Sequence, residues 1–165
     1  MAKGTIMLPV TAAKISGDFI TNPARIDNGL GGGALLFAAD QTESAMWVFR
    51  MPENYGSALT AKLQYSMASA TSGKVDMEVE VMAVSDGDSQ DLDTASFAAV
   101  NEIAGGTTVP GTAGYLDEIS ITLSNADSLT AGDLVYIRIN RDHDDTDDTA
   151  AGDLEMRALS LEYTI

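Results

Sequence analysis

The densest chemistry in the sequence lies in one stretch, Arg141-Asp142-His143-Asp144-Asp145-Thr146-Asp147-Asp148, with Asp153 just beyond. It holds the single histidine of the chain among closely spaced carboxylates. A histidine beside a carboxylate can serve as a general base for a hydroxyl. A Ser-His-Asp site of that kind is recognised by its supporting features, and no G-x-S-x-G elbow is present. Zinc asks for several ligands, mostly histidine and cysteine, and this chain has one histidine and no cysteine. Calcium and magnesium take carboxylate oxygens, and the spacing partly resembles a D-x-D-x-D loop, although the glycine and closing glutamate of an EF-hand fall out of place. Asp142, Asp144, Asp145, Asp147 and Asp148 are therefore the candidate metal ligands. The competing reading, adopted here, is a solvated acidic loop partly paired with Arg138 or Arg141. On that reading no cofactor is expected, Ca2+ is the alternative, and chelation leaves stability nearly unchanged. A second acidic loop, Asp86 to Asp93, has the same two readings.

Other reactive patterns are weaker. Paired carboxylates serve glycosidases, but acidic residues are so frequent that pairs arise by chance. Gly29 to Gly33 holds four glycines. A phosphate loop needs a strand before it, a helix after it and a lysine, and none is in place. No catalytic or cofactor-binding residue is assigned, and the chain is not expected to be an enzyme. Trp47 is in phase with Ala45, Phe49 and Met51, which places it in a core. Tyr55 and Tyr115 lie in turn regions and suit surface contacts.

Composition narrows the partners. Of 165 residues, 25 are acidic and 9 basic, a net charge of −16. Phosphate backbones are repelled by such a surface, so no nucleic acid is expected. Absence of cysteine removes disulfides and thiolate chemistry. No stretch approaches the roughly 20 apolar residues of a membrane helix, and Met1-Ala2-Lys3-Gly4 leads into no apolar signal region.

The elements that must position these residues are strands. Val75, Met77, Val79, Val81 and Ala83 alternate with Asp76, Glu78 and Glu80, a period of two that points successive side chains to opposite faces. The same rhythm marks residues 45–51, 59–67, 118–123, 135–139 and 154–165. Weaker extended pieces fall at 5–10, 15–20, 34–38 and 97–103. Pro52 ends the tryptophan strand, and Thr71-Ser72-Gly73 forms a hairpin connection. In the last strand the apolar parity slips between Ala158 and Leu159, the signature of a β-bulge. The expected fold is all-β, an antiparallel β-sandwich, jelly-roll-like, of about eight strands. Residues 1–42, rich in Gly, Ala and Thr with turns at Asn22-Pro23 and Asn28-Gly29, read as an irregular extended N-terminal arm with first short strands. Residues 43–165 form the β-sandwich domain. Met46 and Met82 share parity with polar positions, which suggests a subunit contact.

Several motifs occur in order: Met51-Pro52-Glu53-Asn54-Tyr55 after the tryptophan strand, Ala70-Thr71-Ser72-Gly73, Val109-Pro110-Gly111-Thr112-Ala113-Gly114, Leu129-Thr130-Ala131-Gly132-Asp133, and Arg141-Asp142 through Gly152-Asp153. In these the chain, from Trp47 onward, resembles the small β-sandwich virion proteins of tailed phages, the capsid cement or decoration proteins, with similar domains at tail-fibre ends. The resemblance implies a homotrimer on the capsid surface of a virion, made in the host cytoplasm, that bridges neighbouring major capsid protein subunits. Ile6, Leu8, Val10, Ile15, Phe19 and Ile20 of the arm, with Met46 and Met82, would then be the partner-binding residues. Removing residues 1–20 would leave the sandwich folded. The alternative from the fibre ends is a carbohydrate- or receptor-binding β-sandwich.

Overall fold

The structure, a computed structural model, describes residues 1–15, 25–27 (backbone) and 33–165. Phe19, Ile20, the turns at Asn22-Pro23 and Asn28-Gly29, and most of the 15–20 and Gly29–Gly33 segments lie outside the described residues.

The fold is an antiparallel β-sandwich, and the described residues contain no α-helix. The strands are β1 (Lys3–Leu8), β2 (Arg25–Asp27), β3 (Ala34–Phe37), β4 (Glu43–Arg50), β5 (Ser57–Met67), β6 (Lys74–Val75), β7 (Met77–Val84), β8 (Thr107–Thr108), β9 (Asp117–Thr122), β10 (Leu134–Arg141) and β11 (Leu154–Thr164). One sheet has the order β2-β3-β11-β5-β9, with β1 also on β11. β5 pairs along β11 from Leu154 to Thr164, so β1 and β3 share the opposite edge of β11. The second sheet is β4-β10-β7. It is widened by short bridges on both sides, Lys14 to Met46 and Asn101 to Val79. The 97–103 segment is thus an edge ribbon along β7, with Ala98 N–H donating to Val81 O at 2.9 Å.

Alternation carries the packing between the sheets. Val75, Val79, Val81, Ile137, Ile139, Leu63, Tyr65, Leu159 and Leu161 are each fully buried. Trp47 is in this core, its indole N–H donating to Pro9 O at 2.9 Å. The parity slip in β11 is a real irregularity: its register against β5 shifts between Met156 and Ala158.

Three expectations are corrected. β1 is not a free arm but pairs with β11 from Lys3↔Thr164 to Leu8↔Leu159. Leu8 and Val10 are buried in this chain's own core, so they are not held out for a partner, while Ile6 and Ile15 are partly buried against that core. Met46 and Met82 are 2% and 1% exposed, which removes them as subunit contacts. They sit on the outer face of the second sheet, where period two alone predicts solvent, yet this part of the face is closed to it, whereas Val48 further along is 47% exposed. The strand expected over Lys74–Val84 breaks at Asp76, and two carboxylates assigned to its wet side, Asp76 and Glu80, are buried.

Candidate functional site

Two neighbouring regions concentrate the polar chemistry. The first is the loop between β10 and β11. Arg141, at the inward end of β10, is fully buried. Its Nε and Nη2 reach Asp148 Oδ2 and Oδ1, both at 2.8 Å, a bidentate pair. The remaining donors go to Gly152 O at 2.8 Å, Ala150 O at 2.9 Å and Phe37 O at 3.2 Å. A planar fork matches this set, whereas an ammonium could not. Because Phe37 belongs to the other sheet, Arg141 ties the acidic loop to both layers. The sequence reading that this arginine neutralises the aspartates holds for Asp148. Arg138 instead pairs with Glu80, Nε to Oε2 at 2.6 Å.

The other loop candidates separate. Asp142, His143 and Asp144 bring one ligand atom each within 4.8 Å of one another. His143 Nδ1 lies 3.1 Å from Thr42 Oγ1, and its Nε2 lies 3.2 Å from Asp144 Oδ1. This is a hydroxyl–imidazole–carboxylate line, but the Asp144 side chain is 84% exposed. A carboxylate in water screens away most of its hold on an imidazolium, so the line lacks the buried orienting acid of a working triad. Asp147 accepts no role here beyond its backbone: its N–H donates to Asp145 Oδ1 at 2.7 Å.

Asp76, Glu78 and Glu102 belong with this loop, and sequence reasoning missed them. Asp76 N–H donates to Asp148 Oδ2 at 3.0 Å, and Asp142 N–H donates to Asp76 O at 3.1 Å. Burial, then the nearby charges of Glu102, Asp145, Glu78 and Asp142, push the Asp76 carboxyl up to about 7. Glu78 is also raised, chiefly by burial and next by Asp142. The one available signal was the break that an aspartate makes in a long strand.

The second region is the outer face of the β4-β10-β7 sheet. Register places Tyr136 between Val48 and Met82, Arg138 between Met46 and Glu80, and Asn140 between Ser44 and Glu78. Tyr136 is half-buried beside Val48, which is 47% exposed. Arg138 lies over the Phe97 ring, 4.5 Å from its centre, while it pairs with Glu80. Asn140 Nδ2 donates to Glu80 Oε2 at 2.8 Å. Beyond Tyr136 the same face runs into a shallow groove lined by Arg50, Val84, Ser85, Asp86, Gly132 and Leu134. The arrangement joins a ring and aliphatic surface to a row of planar hydrogen-bonding groups. Of the tyrosines expected at the surface, Tyr115 is 65% exposed. Tyr55 is half-buried against Tyr163, their ring centres 5.8 Å apart.

No protein-family model and no curated protein matches this chain. Solved structures do match over nearly its whole length. They include a family 35 carbohydrate binding module from Clostridium thermocellum (12% identity, 96% of this chain and 97% of that one, TM-score 0.55). A second is the xylan-binding module CBM15 (13% identity, 99% and 98%, TM-score 0.52). A third is a family 29 carbohydrate binding module from Piromyces equi (11% identity, 99% and 93%, TM-score 0.50). At these identities the likeness is one of fold, and it places the chain among jelly-roll β-sandwiches.

Proposed function

We propose that this chain is a non-catalytic carbohydrate-binding β-sandwich that holds a glycan at the open end of the outer face of the β4-β10-β7 sheet, around Tyr136 and Val48. The carrying observation is Tyr136 beside the exposed Val48, where the face opens onto the groove lined by Arg50, Val84, Ser85, Asp86, Gly132 and Leu134. A sugar ring has an apolar C–H face and a polar rim. It fits an aromatic and aliphatic surface bordered by charged and hydroxyl groups such as Arg50, Asp86 and Ser85, which fix its orientation. The carbohydrate-binding modules that share the fold support this reading, as does the exposed, unsupported Asp144 beside the only histidine. A surface of net charge −16 favours neutral over acidic polysaccharides.

The test is affinity electrophoresis through soluble polysaccharides, beginning with xylan. The native chain should be retarded, and Tyr136→Ala should lose most of that retardation, at least about tenfold in affinity, at unchanged melting temperature. No retardation by any polysaccharide, or retardation indifferent to Tyr136, would overturn the proposal.

The decoration-protein reading retains one supporting observation. β1 pairs with β11 alone among the described strands, and Met7 on it is 63% exposed. An edge of that kind can accept a strand from another chain. The homotrimer and the major capsid protein contact belong to this reading. A monomeric mass in solution, with no binding to capsids, would remove it.

A further inference from the structure

The groove beyond Tyr136 is walled by three strand ends. Arg50 closes β4, Val84 closes β7 with Ser85 and Asp86 after it, and Leu134 opens β10 after Gly132. Register sets Leu134 between Arg50 and Val84 across the sheet. Strand ends open more readily than strand centres, so a surface built from three of them needs a tie. Asp133 lies between two lining residues without lining the groove itself, and it is 4% exposed. Its Oδ1 accepts from Ser85 Oγ at 2.7 Å and from Thr130 Oγ1 at 3.0 Å. Its Oδ2 accepts from Thr130 N–H at 2.7 Å. Its backbone carbonyl accepts from Met51 N–H at 2.8 Å, and Gly132 N–H donates to Met51 O at 3.1 Å. One residue thus reaches the ends of β4 and β7 and the turn that opens β10. Gly132 fits that turn closely: its φ is +87°, and a Cβ there would come 3.1 Å from Arg50 Nη2.

A surface shaped before its ligand arrives spares the cost of ordering loops on association, and a shell of supporting hydrogen bonds is what holds it in shape. We propose that Asp133 is the positioning residue of the glycan site, fastening the three walls of the groove to one another and fixing which hydrogen-bonding groups face the sugar. The inference rests on the glycan reading of this face and adds to it a residue that touches no sugar. A carboxylate suits the task because its two oxygens accept several hydrogen bonds at once. It also sets the polarity of the groove. Ser85 gives its one hydroxyl proton to Asp133, so toward a ligand its oxygen accepts. Asp86 beside it accepts as well, whereas Arg50 across Leu134 only donates. The β7 side therefore asks for a free sugar hydroxyl. A site that pairs with a hydroxyl rejects an analogue in which that hydroxyl is blocked, because its own polar groups are left unpaired. The substrate class is a neutral glycan with unesterified hydroxyls.

The experiment pairs amide hydrogen exchange of the full chain with affinity electrophoresis in deacetylated and in acetylated xylan, each variant held well below its own melting temperature. The native chain should prefer deacetylated xylan several-fold. Asp133→Ala should bind it about tenfold more weakly and discriminate less, and Asp133→Asn, which keeps an acceptor, should recover part of both. In Asp133→Ala the Met51, Thr130 and Gly132 amides should exchange about tenfold faster, while those of β5 and β9 keep their native rates. Thr130→Val, which removes a single link, should show the same changes on a smaller scale, and it keeps the test decisive if Asp133→Ala fails to fold. Native affinity in Asp133→Ala, unchanged exchange at the three amides, or exchange that quickens equally throughout the molecule would overturn the role of Asp133. Equal binding of the two xylans would overturn the polarity. A native chain that binds no polysaccharide, with the three amides still released by Asp133→Ala, would overturn the glycan reading and uphold the tie.

Discussion

Arg141 shows how one residue organises a region that reads as unstructured. Its neighbours in sequence include five aspartates and a histidine, yet it is the largest fully buried side chain among the described residues. Burying a guanidinium is tolerable because all its hydrogen bonds are made: two to Asp148 and three to carbonyls. Replacing it leaves the buried Asp148 carboxylate without its cation and takes a donor from three carbonyls. Arg141→Met should therefore destabilise the fold by about 3–5 kcal/mol, the usual result of breaking a buried pair from one side. Arg141→Lys should recover only part, since an ammonium cannot serve both Asp148 oxygens and the carbonyls together. Chemical denaturation of the two variants measures both. Asp133 makes the same point with opposite sign. Burial pushes its carboxyl up, but hydrogen bonds from Ser85 and Thr130 outweigh that and hold it below its ordinary value.

At the scale of elements, β1 decides whether the N-terminus is an arm or a wall. Its burial alternates, with Gly4, Ile6 and Leu8 turned inward. Gly4 is required there, because a Cβ at that position would fall 2.1 Å from the Tyr163 ring. Deleting residues 1–10 removes a strand, the buried Leu8 and Val10, and the carbonyl that accepts the Trp47 N–H. The two apolar side chains alone account for about 3–6 kcal/mol. The truncated chain should melt lower by on the order of 10 °C, measured by circular dichroism. An unchanged melting point would restore the free arm.

At the scale of the whole molecule, net charge and buried carboxylates act together. Asp76 releases its proton near 3.8 when unfolded and near 7 in the fold. Folding therefore takes up a proton between those values. The contribution of Asp76 is complete below about 3.8, falls as pH rises, and is gone above about 7. Glu78, raised from 4.5, acts in the same direction. With a net charge of −16 repelling itself at neutral pH, the chain in EDTA should melt a few degrees higher at pH 5.5 than at pH 8. Asp76→Asn should flatten that slope, as a melting series across pH would record.

Period-two alternation determined the fold class, because a strand with one apolar side has no stable solution but a second layer to cover it. Val79, Ile137 and Leu161 were legible as core, Trp47 as buried, and the slip at Ala158 as a bulge, since each rests on local parity. Turn residues likewise marked most strand ends. Tertiary structure alone decided where parity stops being informative. Met46 and Met82 are buried on a face that parity reads as wet, and Ile6 and Leu8 close a sheet against the opposite terminus. Asp76 meets Asp142 only because β7 and β10 lie side by side. Tyr136 shares a face with Arg138 by the parity of β10 alone, but Val48 and Glu80 come beside them only through strand pairing. Such juxtapositions depend on which strands neighbour one another, and that follows from long-range pairing, which no short window of sequence contains.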